Sequence, residues 1–224
     1  MLDYYQIWGK MAIKAIFFDF WGTLVENGEE RSPVKQVKYF LRLRDMDFSE
    51  YIVKFEEAFM TKPYEDLKQA FHAVTKEFNL NPPDFVYDKM IGMWNKNTIL
   101  AKTYEETVEV LEELKKDYKL ILIANTDSFS VASVVEKFDL KKYFDEIVFS
   151  CETGKLKSDK ASFGAVLKKL KIKKTEALMV GDSIESDMKS AENAGIKGML
   201  VDRHERQEYE NKISNLNELK DKLK

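Results

Sequence analysis

Apolar residues change their spacing several times along this chain, and each change marks an element. Residues 13–18 form a short apolar run bounded by turn signals, the pattern of a strand buried on both faces of a parallel sheet. Asp19 stands where that strand should end, followed by the chain-breaking Gly22 and by Thr23. Beyond the loop to Glu30 the period becomes helical. Pro33 can open a helix whose apolar positions recur from Val34 to Leu43, and Phe48–Met60, Tyr64–Phe78 and Asp84–Thr98 repeat that spacing. Asn81-Pro82-Pro83 separates the last two. Between Arg31 and Lys102 no segment reads as a strand.

Strand–helix alternation then resumes. Helix Tyr104–Lys116 precedes strand Lys119–Ala124, which ends in Asn125-Thr126-Asp127-Ser128, with Ser128 a candidate N-cap for helix Val131–Phe138. Strand Glu146–Phe149, a loop through Gly154, helix Ala161–Lys171 and strand Ala177–Val180 follow. Gly181-Asp182-Ser183 leads into helix Glu185–Asn193, stopped by Gly195. Strand Lys197–Val201 is expected to close the sheet, and the tail from Glu205 reads as one broken helix. Such alternation predicts an α/β fold, a doubly wound, Rossmann-like parallel sheet. The expected organisation is a core of residues 1–28 and 104–224, interrupted by an all-helical cap, residues 29–103, over the crevice.

In open parallel sheets ligands bind beyond the carboxyl ends of the strands. Four of those ends carry polar groups: Asp19, Asn125-Thr126, the Lys155–Asp159 loop, and Asp182 with Asp187. Converging carboxylates make a hard, oxygen-rich site of the kind that takes Mg²⁺ together with a substrate phosphate. Asp19 and Asp182 are therefore candidate ligands, while Asp187 could hold a metal-bound water or position its neighbours. Lys157 is the candidate to balance the carboxylates and meet a phosphate oxygen. Taken singly, each signal has a plainer explanation. A strand-end Asp can cap a turn, and the acids of G-D-S-I-E-S-D can serve a helix dipole.

Together and in this order, the four segments resemble the haloacid dehalogenase superfamily. F-F-D-F-W-G-T-L at Phe17–Leu24 is similar to its first motif and L-I-L-I-A-N-T-D-S at Leu120–Ser128 to its second. Ser150, Gly154 and Lys157 fit the third, S-x-x-x-G-x-x-K, and Val180–Asp187 the fourth, V-G-D-S-x-x-x-D. The resemblance spans Lys14 to about Asp202, and the helical block fits the family's cap. It implies that Asp19 attacks phosphorus in line and that water hydrolyses the resulting aspartyl-phosphate. It also implies Mg²⁺ held by Asp19, the backbone carbonyl of Trp21 and Asp182, with Asp187 beside them and Lys157 orienting phosphate and nucleophile. Thr23, Asn125, Thr126 and Lys157 are the residues expected at the substrate. The expectation is a Mg²⁺-dependent phosphatase acting on a small phosphorylated metabolite.

Two positions depart from that pattern. Phosphatases of the family usually carry an acid where this chain has Trp21, which cannot move a proton, and the phosphate-binding Ser or Thr of the second motif falls on Ala124, although Asn125 or Thr126 could reach across. Dehalogenases of the family carry Tyr at the Trp21 position and lose the metal carboxylate that Asp182 supplies here. Phosphonate hydrolases keep Mg²⁺ and use a cap lysine, for which Lys35 and Lys38 are present, though helix-surface lysines are usually solvated. A weakly active binding protein, with Trp21 filling the phosphate pocket, is the remaining alternative.

Other conspicuous residues have simpler roles. His72 is expected on the surface or in packing, and Trp94 with the cap phenylalanines in a core. His204 could border the crevice, and Arg31 sits at the hinge into the cap.

Composition narrows the partners. A net charge of −3, with lysines interleaved among acids, leaves no nucleic-acid footprint. No run approaches the ~20 apolar residues of a membrane span. The opening MLDYYQIWGK lacks the basic start, apolar centre and cleavage site of a secretory signal, and Met11 could begin the functional core. The single cysteine, Cys151, cannot form an internal disulfide and fits a reducing cytoplasm. There is no G-x-S-x-G, P-loop or dinucleotide fingerprint.

Overall fold

Burial of apolar side chains on both faces makes the first strand, β1 (Ala15–Phe18), the centre of the molecule. A computed structural model describes residues 12–29 and 31–223, so the expectations for MLDYYQIWGK and Met11 lie outside the described residues. After β1 come the two-residue β2 (Val25–Glu26) and four helices: α1 (Pro33–Phe40), α2 (Phe48–Met60), α3 (Leu67–Glu77) and α4 (Asp84–Leu100). Strand β3 (Lys102–Thr103) returns antiparallel to β2, with Val25 opposite Thr103. This ribbon ties together the two ends of the helical insertion. At two residues a side it is too short for strand alternation to register, which is why the sequence shows no strand there.

The chain continues through α5 (Thr107–Leu114), β4 (Lys119–Ala124), α6 (Ser130–Lys137) and β5 (Glu146–Phe149). Next are the single-turn α7 (Ser150–Thr153), α8 (Lys160–Leu170), β6 (Ala177–Gly181), α9 (Lys189–Ala194) and β7 (Lys197–Val201). Strand β8 (Lys212–Ile213) and helix α10 (Asn217–Leu223) end it. Six strands pair in parallel in the order β5-β4-β1-β6-β7-β8. Phe18 lies opposite Leu122 on one side and Val180 on the other. Ile16, Phe18 and Phe20 face one core cluster, while Ala15 and Phe17 face another, where Phe17 meets the Phe163 ring edge-on at 5.3 Å. The doubly wound α/β sheet is thus as the sequence predicts.

Three local expectations are corrected. First, β7 does not close the sheet. The tail contains β8, paired alongside Leu200 and Val201, rather than one broken helix, because Ile213, Leu216 and Leu219 all bury against the core. Second, a π-helical turn, Ile184–Met188, precedes α9 in place of a regular helix over Glu185–Asn193. Third, Ser128 is not the cap of α6. Asp127 Oδ1 instead accepts the backbone N–H groups of Phe129 and Ser130, at 2.7 and 2.9 Å.

The helical insertion has its own core, in which Tyr51, Phe55, Phe59, Phe71 and Trp94 pack ring against ring. Phe129 and Leu156, from loops beyond the strand ends, pack against it. Trp94 is core, as its spacing predicts, but its indole N–H also crosses to the sheet domain. It donates to Asp127 Oδ2 at 3.0 Å and Ser130 Oγ at 2.8 Å. His72 lies exposed against the Tyr87 ring, 4.2 Å between centroids. Lys35 sits over the Phe48 ring and Lys38 donates to the Leu43 carbonyl, so both are spent within the insertion. Among the described residues no helix is long and apolar enough to cross a membrane.

Trp94→Phe keeps a ring in this core but takes a donor from Asp127 Oδ2, which retains the Ser130 hydroxyl at 2.6 Å, and leaves Ser130 Oγ without the indole N–H it accepts. Leaving buried acceptors short of a partner costs about 1–3 kcal/mol. Chemical denaturation is expected to show a loss of that size. An unchanged midpoint would mean that the indole N–H does nothing to hold insertion and sheet together.

Candidate active site

Asp19 follows β1 directly, and its neighbours fix both carboxylate oxygens. Lys157 Nζ donates to Oδ1 at 2.6 Å, and the buried Thr23 hydroxyl donates to Oδ2 at 3.2 Å. The chain between them turns sharply, with Gly22 N–H donating to the Val25 carbonyl at 2.8 Å and Gly22 at φ +77°. A Cβ at position 22 would lie 2.1 Å from Asp182 Oδ2. Glycine therefore serves twice, permitting the left-handed turn and admitting the Asp182 carboxylate beside Asp19. Arg203 clamps the turn from outside, donating to the Gly22 and Thr23 carbonyls while its guanidinium pairs with Glu106.

The third carboxylate arrives by way of the π turn. Such a turn adds a residue to the helical circuit and re-aims the side chains that follow. Asp187 is buried, with Oδ2 accepting Ser183 N–H at 3.1 Å and Oδ1 accepting Lys157 Nζ at 2.5 Å. Gly181 makes room for it, since a Cβ there would meet Asp187 Oδ2 at 2.3 Å. Lys157 thus bridges Asp19 and Asp187. Burial opposes its charge, but those two carboxylates outweigh burial and hold its pKa above the usual lysine value.

Carboxylate oxygens of Asp19, Asp182 and Asp187 all lie within 4.8 Å of one another. Burial, then the charge of Asp19, pushes Asp187 up to about 6, and burial with both neighbouring carboxylates raises Asp182 well above its ordinary value. One ammonium does not balance three converging carboxylates. A hard oxygen donor set short of positive charge fits a divalent cation, and these residues could hold one.

The second-motif loop supplies the remaining contacts. Asn125 Oδ1 accepts Lys157 N–H at 2.8 Å, which joins Asn125 to the lysine loop. Thr126 is buried elsewhere, its hydroxyl donating to the Asp127 carbonyl and its N–H to Ser150 Oγ. Trp21 is half-buried, edge-on to the Phe20 ring at 5.1 Å. His204 and Arg31 are exposed and, among the described residues, form no hydrogen bond or ion pair with the carboxylate cluster, and Ala124 is buried in the sheet core.

Two residues of this neighbourhood escape sequence reasoning. Arg203 is adjacent to the flagged His204, yet no motif marks it. Glu56, on α2, is half-buried and accepts from Asn125 Nδ2 through Oε2 at 2.8 Å. Burial raises its pKa to about 7, against the pull of Lys157 and the Asn125 amide. A glutamate beside Phe55 on an amphipathic helix carries no signal of its own.

Residues 13–195 match the family model described as haloacid dehalogenase-like hydrolase. N-acylneuraminate-9-phosphatase of Rattus norvegicus is 27% identical over 212 residues, covering 86% of this chain and 83% of that protein. Glyceraldehyde 3-phosphate phosphatase of Methanocaldococcus jannaschii is 27% identical over 228 residues, covering 95% and 97%. Among solved structures, a 2-haloacid dehalogenase from Pseudomonas syringae pv. Tomato DC3000 superposes with a TM-score of 0.64 at 20% identity, covering 94% and 98% of the two chains. A HAD phosphatase from Thermococcus onnurineus gives 0.61 at 21%, covering 93% and 97%. At such identities these two structures carry the fold alone.

Charge crowding in this cluster has a measurable consequence. A carboxyl whose pKa is raised by folding costs stability that accrues as pH climbs above its unfolded value of about 4. In the presence of chelator, Asp182→Asn is therefore expected to raise the melting temperature, by a margin that widens as pH rises. A margin that is absent, or flat with pH, would show that Asp182 is not repelled by its neighbours.

Proposed function

This chain belongs to the haloacid dehalogenase-like hydrolases, and on that premise we propose that it is a Mg²⁺-dependent phosphatase. Its substrate is a small phosphomonoester, hydrolysed through an aspartyl-phosphate. The observation that carries this reading is Asp19 itself, anchored on both oxygens by Lys157 and Thr23 within the carboxylate cluster. Relatives named as phosphatases support it. Residues 29–103 serve as the cap and residues 1–28 and 104–224 as the core. The single cysteine, Cys151, is buried and suits a reducing cytoplasm.

In this reading Asp19 attacks phosphorus, the bond to the ester oxygen breaks, and an acyl phosphate forms on the side chain. Water then attacks that phosphorus, releasing phosphate and the Asp19 carboxylate. Thr23 and Lys157 set the direction of attack by holding the carboxylate. Lys157 also offsets phosphate charge, Asn125 steadies the lysine loop at the substrate, and Thr126 ties its own loop to Ser150 through its N–H. Asp19, Asp182 and the Trp21 carbonyl are the residues that would hold Mg²⁺, with Asp187 in support. When bound, the ion would neutralise charge on the phosphoryl oxygens.

Retention of Asp182 beside Asp19 weighs against a dehalogenase, because displacement of halide makes no use of a cation-binding carboxylate set. Packing of the Trp21 indole on Phe20 weighs against its filling a phosphate pocket.

Asp19→Asn is nearly isosteric, so the fold should persist while turnover of p-nitrophenyl phosphate falls by about 10³-fold or more. Activity within tenfold of the parent would remove Asp19 from the nucleophile role. Chelation should silence the parent, and Asp182→Ala should lose the response to added Mg²⁺. Turnover indifferent to chelator would rule out the metal.

A further inference from the structure

Departure of an ester oxygen requires a proton, and most groups in the crevice are already committed. Asp19 is the nucleophile, Lys157 is held between two carboxylates, and Asp182 and Asp187 form the cation site. Trp21 offers only an indole N–H, which does not exchange protons in this role. Glu56 remains.

Its position suits the task. In-line displacement sends the leaving group away from Asp19, toward whatever covers the strand ends. Helix α2 covers them and presents Glu56 to Asn125. The amide of Asn125 has one possible orientation, because Oδ1 accepts Lys157 N–H and Nδ2 must then point to Glu56 Oε2. Oε1 makes no hydrogen bond to any described residue, so it is the oxygen free to carry a proton. Tyr51, Phe55 and Phe59 anchor the same helix in the aromatic core of the insertion, which keeps the carboxyl in place.

We propose that Glu56 is the general acid and base of this active site, an inference that rests on the phosphatase reading. Its Oε1–H protonates the ester oxygen as the phosphorus–oxygen bond breaks. The resulting carboxylate takes a proton from the water that attacks the aspartyl-phosphate. One proton leaves Glu56 in the first half-reaction and one returns in the second, so the cycle closes. The charged groups facing Glu56 are Lys157 from the loop before α8, Asp187 from the π turn and Asp19 from the end of β1. Burial and the two aspartates raise its pKa, Lys157 and the amide lower it, and the outcome near neutrality is where an acid–base catalyst works best.

Glu56→Gln separates this role from that of a latch, since the glutamine carbonyl still accepts from Asn125 but carries no acidic proton. Turnover of phosphate monoesters running from p-nitrophenyl to simple alkyl, measured with Mg²⁺ across pH, is the test. For alkyl esters kcat/KM is expected to fall about 10²–10⁴-fold, and much less for p-nitrophenyl phosphate, whose leaving group needs no proton. The acid must be protonated, so the parent's kcat/KM should decline as pH rises past neutrality, and this alkaline limb should vanish in Glu56→Gln. Equal losses along the series with an unchanged pH profile would overturn the proposal. Should Glu56→Gln melt below assay temperature, Glu56→Asp replaces it. That variant should slow alkyl esters yet keep the alkaline limb, and a variant that does neither overturns the proposal as well. A parent inert on every ester would overturn the phosphatase reading and this role with it. A parent that is active and sensitive to Asp19→Asn, alongside an indifferent Glu56→Gln, would overturn Glu56 alone.

Discussion

Lys157 reaches the crevice with 3% of its side chain exposed and places its ammonium 2.6 Å from Asp19 and 2.5 Å from Asp187. Burying three charged groups together is costly, and each is tolerable only while its partners stay in place. Deleting the lysine would leave carboxylates facing one another, and deleting either aspartate would leave a buried ammonium short of its partner. The local oddities of the chain serve this arrangement. Gly22 and Gly181 admit carboxylates where a Cβ would collide, and the π turn aims Asp187 inward. Arg203 pins the turn that follows Asp19. With positive charge still short of negative, the cluster is one that could hold a cation.

The helical insertion meets this neighbourhood through the loop after β4 and through Leu156, the residue before Lys157. Asn125 bonds to Glu56, while Asp127 and Ser130 take the indole N–H of Trp94. All three lie between the end of β4 and the first turn of α6, so the loop that carries the lysine's backbone partner also carries the covering helices. A crevice covered from α2 and lined by a glutamate can supply from above the acidity that position 21 lacks at the strand end.

Much of this was legible in one dimension. Strands Lys119–Ala124, Glu146–Phe149 and Lys197–Val201 have the bounds their apolar runs predict, clearest for Lys119–Ala124, where burial on both faces leaves an uninterrupted apolar stretch. Asp19, Lys157, Asp182 and Asp187 were recognisable because each follows a strand or a strand-end loop, where the parallel sheet directs functional groups. The two-residue ribbon of β2 and β3, edge strand β8 and the π turn left no comparable trace. Each depends on contacts with distant segments rather than on local spacing.

Sequence alone thus determined the alternating α/β architecture, the inserted helices and the carboxylates and lysine at the strand ends, since periodicity and strand-end placement are local properties of the chain. Tertiary structure decided that Asp127, not Ser128, would accept the N–H groups of Phe129 and Ser130 ahead of α6, and that Trp94 would bond across to the sheet domain. It also decided that Glu56 would sit over the crevice, shifted toward neutrality. A glutamate on an amphipathic helix is ordinary until another element arrives to bury it. Burial, neighbouring charge and the orientation of a partner amide arise only when residues 56, 125 and 157 meet, far apart in the chain and adjacent in space.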